Sequence, residues 1–130
     1  MRRSYEIVNR RDFQLALAAQ DPDVRISWTG DPSGGIAPDL VGREFRGHEG
    51  FRRAWDAWLE AFEDLRIEPQ EVSDLDDRLL VGIRTVGHGS ASGAPVDQRG
   101  FTLYTFRGGR ITSQEFFVDR DQAEQNAGLT

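Results

Sequence analysis

The sequence contains no cysteine, no lysine and only two histidines. Without cysteine there can be no disulfide, cysteine-based zinc site or thiol nucleophile, which agrees with a reducing compartment, so we expect a cytoplasmic protein. Without lysine there is no side-chain amine to act as a base or to form a Schiff base. The two histidines have no acidic partner at ligand spacing, so the sequence predicts no metal centre and no cofactor.

Long apolar runs and an excess of positive charge are also absent. No apolar run approaches the ~20 residues of a membrane span, and residues 1–6 lack the apolar core of a secretion signal. The 16 basic residues, all arginine, are outnumbered by 22 acidic residues, which gives a net charge of −6. Because nucleic-acid binding favours a concentrated basic surface, we expect neither a nucleic acid nor a membrane as a partner.

What the chain does contain is a globular composition rich in aromatic residues. Its 130 residues suffice for one domain, 1–130, that buries roughly two thirds of the surface its unfolded chain exposes. Hydrophobic residues make up 38% of the sequence and include three tryptophans and eight phenylalanines. These aromatic side chains must therefore fill a core or line a cavity.

Hydrophobic periodicity predicts the order helix, strand, helix and then a four-stranded antiparallel meander. The first helix spans 5–19, with Ser4 as N-cap and a break expected at 9–12. The second spans 48–64, and a short polar helix follows 119. A turn is expected at 21–23, and the glycine-rich segment 30–47 is the longest predicted loop, a candidate lid. Strands are predicted at 24–29, 65–75, 78–89, 96–106 and 110–118. This order indicates an α+β domain with helices on one sheet face.

The pair Gly108-Gly109 predicts a two-residue hairpin turn, which fixes the faces of the last two strands. Strict alternation from this turn places four opposed pairs on one face: Phe106 and Ile111, Tyr104 and Ser113, Thr102 and Glu115, Gly100 and Phe117. The other face receives Phe101, Leu103, Gln114, Phe116 and Val118. Both faces are half apolar, so we expect helices on one and a second copy of the chain on the other, a homodimer through the sheet.

The helix at 48–64 and the Tyr104 face of the sheet should enclose a mostly apolar cavity for a hydrophobic small molecule. The aromatic residues predicted to line it, of which one or two should touch a ligand, are Trp28, Trp55, Trp58, Tyr104 and Phe117. Glu115 would enter this cavity partly desolvated, as suits a residue that transfers protons, or would be a hydrogen-bonded structural carboxylate. Asp119 is a second candidate base, although the N-cap of the last helix is the favoured interpretation.

Three other features have a weaker link to chemistry. His88 and Asp97 become neighbours in the second hairpin, as an acid/base dyad or as an ordinary cross-strand surface pair. His48 begins the aromatic helix and is expected to be an exposed end residue. The glycine pairs lack the strand-to-helix context of a phosphate site and are interpreted as turns.

The order of elements and four short motifs resemble the SnoaL-like branch of the nuclear transport factor 2-like superfamily over essentially the whole chain. The motifs are Asn9-Arg10-Arg11-Asp12-Phe13, Gly47-His48-Glu49-Gly50, Ser92-Gly93-Ala94-Pro95-Val96-Asp97 and Phe117-Val118-Asp119-Arg120. The resemblance implies a conical α+β half-barrel, a curved antiparallel sheet with helices on its concave face, commonly dimeric through the sheet.

Members of this superfamily include ketosteroid isomerases, polyketide cyclases, dehydratases and epoxide hydrolases, so the resemblance implies a fold more than a reaction. We match no residues to the base, tyrosine and protonated acid that ketosteroid isomerase-like chemistry needs. Polyketide cyclase-like members use an aspartate in the pocket, a place that Asp119 or Asp97 could take. Two hypotheses follow: cofactor-independent acid/base chemistry on a hydrophobic substrate, or a non-catalytic domain for ligand binding or association.

Overall fold

The structure is a computed structural model that describes residues 6–7, 9–29, 42–90 and 93–129. Its helices are α1 (Phe13–Ala18), α2 (Gly47–Ala61) and α3 (Arg120–Asn126). Its strands are β1 (Gln20–Thr29), β2 (Glu44–Arg46), β3 (Phe62–Asp74), β4 (Arg78–Gly89), β5 (Pro95–Arg107) and β6 (Arg110–Phe117). Within these ranges no helix is long and apolar enough to cross a membrane.

The strands form one curved sheet in the order β2-β1-β6-β5-β4-β3, left open between its edge strands β2 and β3. The predicted α+β class is confirmed, and so is the predicted antiparallel meander, which runs from β3 to β6. The sheet is not antiparallel throughout, because β1 runs parallel to β6. Strand β2 was not predicted, since it lies inside the glycine-rich loop. Residues 30–41 of that loop and the predicted N-cap Ser4 lie outside the described residues.

Two element boundaries differ from the prediction, and the break expected at 9–12 in the first helix is confirmed. The first helix is broken before α1 by Arg11, whose φ is +59°, and Asp12 caps α1 by accepting a hydrogen bond from the Leu15 amide. Helix α2 ends at Ala61 instead of residue 64, and Phe62 already belongs to β3. The segment 21–23 lies within β1, whose pairing with β6 is irregular between Gln20 and Arg25.

The hairpin between β5 and β6 contains one residue more than strict alternation allows. Gly108 and Gly109 both have positive φ, +60° and +80°, as a tight hairpin turn requires, and Phe106 faces Ile111 as predicted. The next pair is Thr105 with Ser113, so Thr112 is an extra residue, a β-bulge. Its hydroxyl donates a hydrogen bond to the Thr105 carbonyl oxygen at 3.2 Å.

The bulge exchanges the faces of every later residue of β6. The predicted pairing of Thr102 with Glu115 is therefore wrong: Thr102 lies opposite Phe116, and Glu115 lies opposite Leu103. The predicted pair Gly100 and Phe117 is wrong for the same reason, because Phe117 lies opposite Phe101.

The main core lies on the concave face, where α1 and α2 cover the sheet. Helix α2 buries Phe51 and Ala54 against Val24 and Ile26 of β1, and Phe62 and Leu65 extend this core along β3. The polar residues of α2 point away from the sheet, as its amphipathic sequence predicts.

Helix α3 covers part of the convex face, which corrects the expectation that the helices lie on one face only. Phe117 is fully buried there, with Leu80 and Leu103 of the sheet and Ala123 and Ala127 of the C-terminal segment. The Arg78 guanidinium donates to the carbonyl oxygens of Asn126 and Ala127, and Arg120 pairs with Glu71 at 2.6 Å. Part of the second apolar face is therefore covered by the chain itself.

Replacement of Gly100 by alanine should destabilise the protein, because a Cβ there would lie 2.8 Å from Cζ of Phe116 and 3.1 Å from the carbonyl oxygen of Phe117. We expect the free energy of unfolding to fall by about 1–3 kcal/mol, as in other overpacked cores. Urea unfolding, monitored by circular dichroism, measures this free energy. The control is Gly82→Ala, whose Cβ would meet the exposed, movable side chain of Glu71. Equal losses in the two variants would contradict the prediction.

Candidate functional site

A cavity of about 170 Å³ lies between the concave face of the sheet and helices α1 and α2. Its walls come from α1, α2 and five strands, β1 and β3 to β6. The aliphatic part of the lining includes Ala16, Ala19, Ile26, Ala54, Ile67, Ile83 and Ile111. A cavity of comparable size in an apolar core accepts a molecule such as benzene, so this space suits about one aromatic ring.

Aromatic rings form the remaining wall and hold one another in place. Trp58 of α2 stacks on Trp28 of β1 with ring centroids 6.1 Å apart. The same indole contacts Phe62 at 5.2 Å and Phe116 at 6.1 Å. Trp55, one turn earlier on α2, packs against Phe13 and Phe51 at 5.7 and 6.0 Å. Three ring contacts therefore fix the orientation of Trp58.

Two glutamines place a polar strip in this wall. The side-chain amide of Gln114 donates to Oε1 of Gln20 at 2.8 Å, and Nε2 of Gln20 donates to the carbonyl oxygen of Ala16 at 3.1 Å. Gln20 is only 4% exposed, so both polar groups of its side chain are paired inside the protein. Thr102 and Tyr104 of β5 add two hydroxyl groups to the lining.

The indole Nε1 of Trp58 is buried, and the described residues supply no hydrogen-bond acceptor for it. An N–H group buried without a partner costs about 1–3 kcal/mol. Such groups are rare in native proteins. Trp58 lines the cavity with its ring, but its Nε1 atom itself has almost no accessible surface.

The lining is electrically neutral in the part of the chain that the structure describes. None of the described lining residues is Asp, Glu, His, Lys or Arg. The same part of the chain contains no cluster of three His, Cys, Asp or Glu side chains that could hold a metal ion. The cavity can therefore offer shape, aromatic contacts and neutral hydrogen bonds.

Four of the five predicted aromatic residues lie in the lining: Trp28, Trp55, Trp58 and Tyr104. Phe117 does not, because the bulge turns it into the buried cluster under α3. Phe116 takes its place in the cavity. Gln20 and Gln114 were not predicted in the lining, since Gln20 fell between the predicted helix and turn and Gln114 was placed on the opposite face.

The two predicted carboxylates both lie outside the cavity lining. Glu115 is half-buried on the convex face, opposite Leu103 and next to Ser27 of β1. The reason for proposing it, a place among the cavity residues, is therefore wrong. Asp119 is exposed and caps α3 by accepting a hydrogen bond from the Asp121 amide at 3.1 Å, which confirms the favoured interpretation.

The two histidines also lie outside the cavity lining. His88 lies opposite Pro95, not Asp97, and its Nδ1 is 3.6 Å from Oδ2 of Asp64. Asp97 instead pairs with Arg84 at 2.7 Å, and this hydrogen-bonded guanidinium lowers the pKa of the Asp97 carboxyl. The dyad of His88 and Asp97 is therefore not formed. His48 is exposed at the start of α2, as predicted, with Nε2 3.1 Å from the backbone oxygen of Gln20.

Comparisons with known proteins agree with this fold. A model of the SnoaL-like domain family matches residues 1–114. No curated protein sequence matches the chain.

Three similar solved structures illustrate the likeness. A protein of the nuclear transport factor 2-like type, of unknown function, from Burkholderia pseudomallei has 24% identity and a TM-score of 0.76; the alignment covers 94% of this chain and 89% of that one. TerC, co-crystallised with polyporic acid, has 22% identity and a TM-score of 0.73, with coverages of 96% and 92%. A candidate polyketide cyclase from Sinorhizobium meliloti has 21% identity and a TM-score of 0.65, with coverages of 86% and 87%.

The glutamine pair gives a stability prediction. Gln114→Ala removes the donor that satisfies the buried Oε1 of Gln20, so we expect the free energy of unfolding to fall by about 1–3 kcal/mol. Chemical denaturation measures the change. Ser113→Ala is the matched control, because Ser113 is the preceding residue and faces the other side of the sheet. If Gln114→Ala is as stable as this control, the pair does not stabilise the fold.

Proposed function

Because the chain belongs to the SnoaL-like domain family, we propose that it binds a hydrophobic small molecule in the cavity between the sheet and α2. The observation that carries this proposal is the lining itself, an apolar and aromatic wall with a few neutral polar groups. A related fold with a bound compound supports it, since TerC was co-crystallised with polyporic acid.

Acid/base catalysis on such a molecule is the second candidate function. It is supported by the candidate polyketide cyclase among the solved structures of this fold. Glu115 and Asp119 remain its candidate bases, but a substrate in the cavity would not touch either of them. Proton transfer needs a base within hydrogen-bond reach of the reacting atom. The described geometry therefore favours binding over catalysis by these two residues.

We also propose a homodimer through the part of the convex face that α3 leaves uncovered. Arg84 and Asp97 lie side by side there, next to the half-buried Val86. A two-fold axis can bring such a pair against its own copy with opposite charges in register. This arrangement would also explain why apolar residues occur on both sheet faces.

Ligand binding can be tested by filling the cavity. Ala54 is buried on α2 and lines the cavity, so the larger side chain in Ala54→Leu should occupy the space. We expect toluene to bind to the wild type beside the three tryptophans of the wall, and isothermal titration calorimetry gives its dissociation constant. The dissociation constant of toluene should rise at least tenfold in Ala54→Leu.

The matched control is Ala18→Leu, an exposed alanine on α1, which should bind toluene as the wild type does. Binding that is unchanged in Ala54→Leu would refute the cavity as the site. The catalytic alternative has its own test. If the protein turns over a bound compound, loss of this turnover in Glu115→Gln or Asp119→Asn would establish a reaction outside the described lining.

The dimer can be tested by sedimentation velocity. Val86→Glu places a charge on the proposed interface, so we expect a dimer in the wild type and a monomer in this variant. Val72→Glu is the control. Val72 is an exposed valine of the edge strand β3 and lies opposite Val81, whose side chain faces the concave side, so this charge is added away from the proposed interface. A wild-type monomer at ~100 µM, far above the Kd of a specific dimer, would refute the proposal.

A further inference from the structure

The side-chain amide of Gln114 has an orientation that its hydrogen bonds fix. The Ala16 carbonyl oxygen can only accept a hydrogen bond, so the end of the Gln20 amide that lies 3.1 Å from it must be the NH₂ group. Oε1 of Gln20 is then the atom that faces Gln114 at 2.8 Å, and Gln114 must offer its own NH₂ group there. The oxygen of the Gln114 amide therefore stays outside this chain of hydrogen bonds.

Gln114 reaches the cavity from the middle of the sheet. On β6 it lies between Ile26 of β1 and Tyr104 of β5, and all three residues line the cavity on the concave face that the helices cover. Gln114 is only half-buried, and its Oε1 accepts no hydrogen bond from the described residues. Unlike Nε1 of Trp58, this oxygen is not a buried atom. Because helices cover this face, the space that the oxygen meets is the cavity.

An amide oxygen in the wall selects a hydrogen-bond donor on the ligand. It can only accept, whereas the hydroxyl groups of Thr102 and Tyr104 rotate and can meet either a donor or an acceptor. A charged donor would lose its hydration with no opposite charge among the described lining residues, which is costly. The space of about 170 Å³ holds about one ring with a short substituent, and a hydroxyl group is a small neutral donor that such a ring can carry.

We propose that the ligand is a compact phenol-type molecule, a neutral aromatic ring whose hydroxyl group donates a hydrogen bond to Oε1 of Gln114. This inference rests on the proposed function, because it names the chemical class that the same cavity selects. It makes Gln114 the residue that distinguishes a hydroxyl-bearing ring from a hydrocarbon of the same size.

Two pairs of probes test the direction of this hydrogen bond. Phenol and toluene have nearly the same shape, and only phenol has an O–H donor. Anisole and ethylbenzene form the second pair, in which the oxygen of anisole carries no hydrogen. Isothermal titration calorimetry gives the dissociation constant of each probe, and the ratio within a pair measures the preference for the oxygen-bearing probe. Because the hydration of the free probes is the same for every variant, the change in a ratio on substitution isolates the contact.

Gln114→Met removes the amide and keeps a side chain of similar length. We expect the preference for phenol over toluene to fall about 5- to 10-fold, the value of one net hydrogen bond, and the preference for anisole over ethylbenzene to stay unchanged. Gln14→Met is the matched control, because it makes the same replacement at an exposed glutamine of α1. Both ratios should keep their wild-type values in this control.

A second variant covers the case in which Gln114→Met does not fold, since it leaves the buried Oε1 of Gln20 without its donor. Gln20→Met combined with Gln114→Met replaces both partners of that hydrogen bond, which is milder than removing one. The Ala16 carbonyl oxygen still accepts a hydrogen bond from the Ala19 amide at 3.3 Å. The same fall in the preference for phenol is expected.

The outcomes separate this inference from the proposed function. If toluene binds to the wild type but phenol does not, or if the preference for phenol is unchanged by loss of the Gln114 amide, the hydrogen bond is overturned and the binding cavity stays in place. An equal fall in the preference for anisole also overturns it, because the oxygen of the ligand would then be the acceptor. If no probe binds to the wild type, the proposed function fails and this inference fails with it.

Discussion

The inserted residue Thr112 decides which side chains of β6 reach the cavity. Side chains alternate between the two faces of a strand, so one extra residue exchanges the faces of all the residues that follow. Gln114 and Phe116 consequently face the cavity, and Glu115 and Phe117 face away. The neutral character of the described lining depends on this exchange, because the alternative register would place a carboxylate in it.

Both faces of the sheet favour the bulged register. On the concave side Gln114 meets Gln20, and on the convex side Phe117 fills the space under α3 with no exposed surface. Without the bulge, Glu115 would be placed against apolar rings and aliphatic side chains, where a charge without a partner is costly. A threonine suits the inserted position because its hydroxyl binds the Thr105 carbonyl on the partner strand.

Much of the architecture could be predicted from the sequence, because the periods of its apolar residues are long and regular. The aromatic spacing of α2 predicted both the helix and the tryptophans that line the cavity. The bulge could not be predicted in this way, since alternation continues on either side of an inserted residue and the pattern alone does not show where the phase changes. The parallel pairing of β1 with β6 could not be predicted from the sequence either, because it depends on tertiary packing and not on local propensity.

The site was predicted less well than the fold for the same physical reason. The tryptophans were correctly placed because their helix and strand have unbroken periods, whereas Glu115 and Phe117 lie after the phase change. Because these two residues lie on the other face, the functional interpretation of the cavity changes as well. With a carboxylate inside, the cavity would suit proton transfer. With Gln114 inside and no charged side chain among the described lining residues, it suits recognition of a neutral molecule. Because the rings that surround Trp58 fix its orientation before any ligand arrives, this part of the cavity wall loses little conformational freedom on binding.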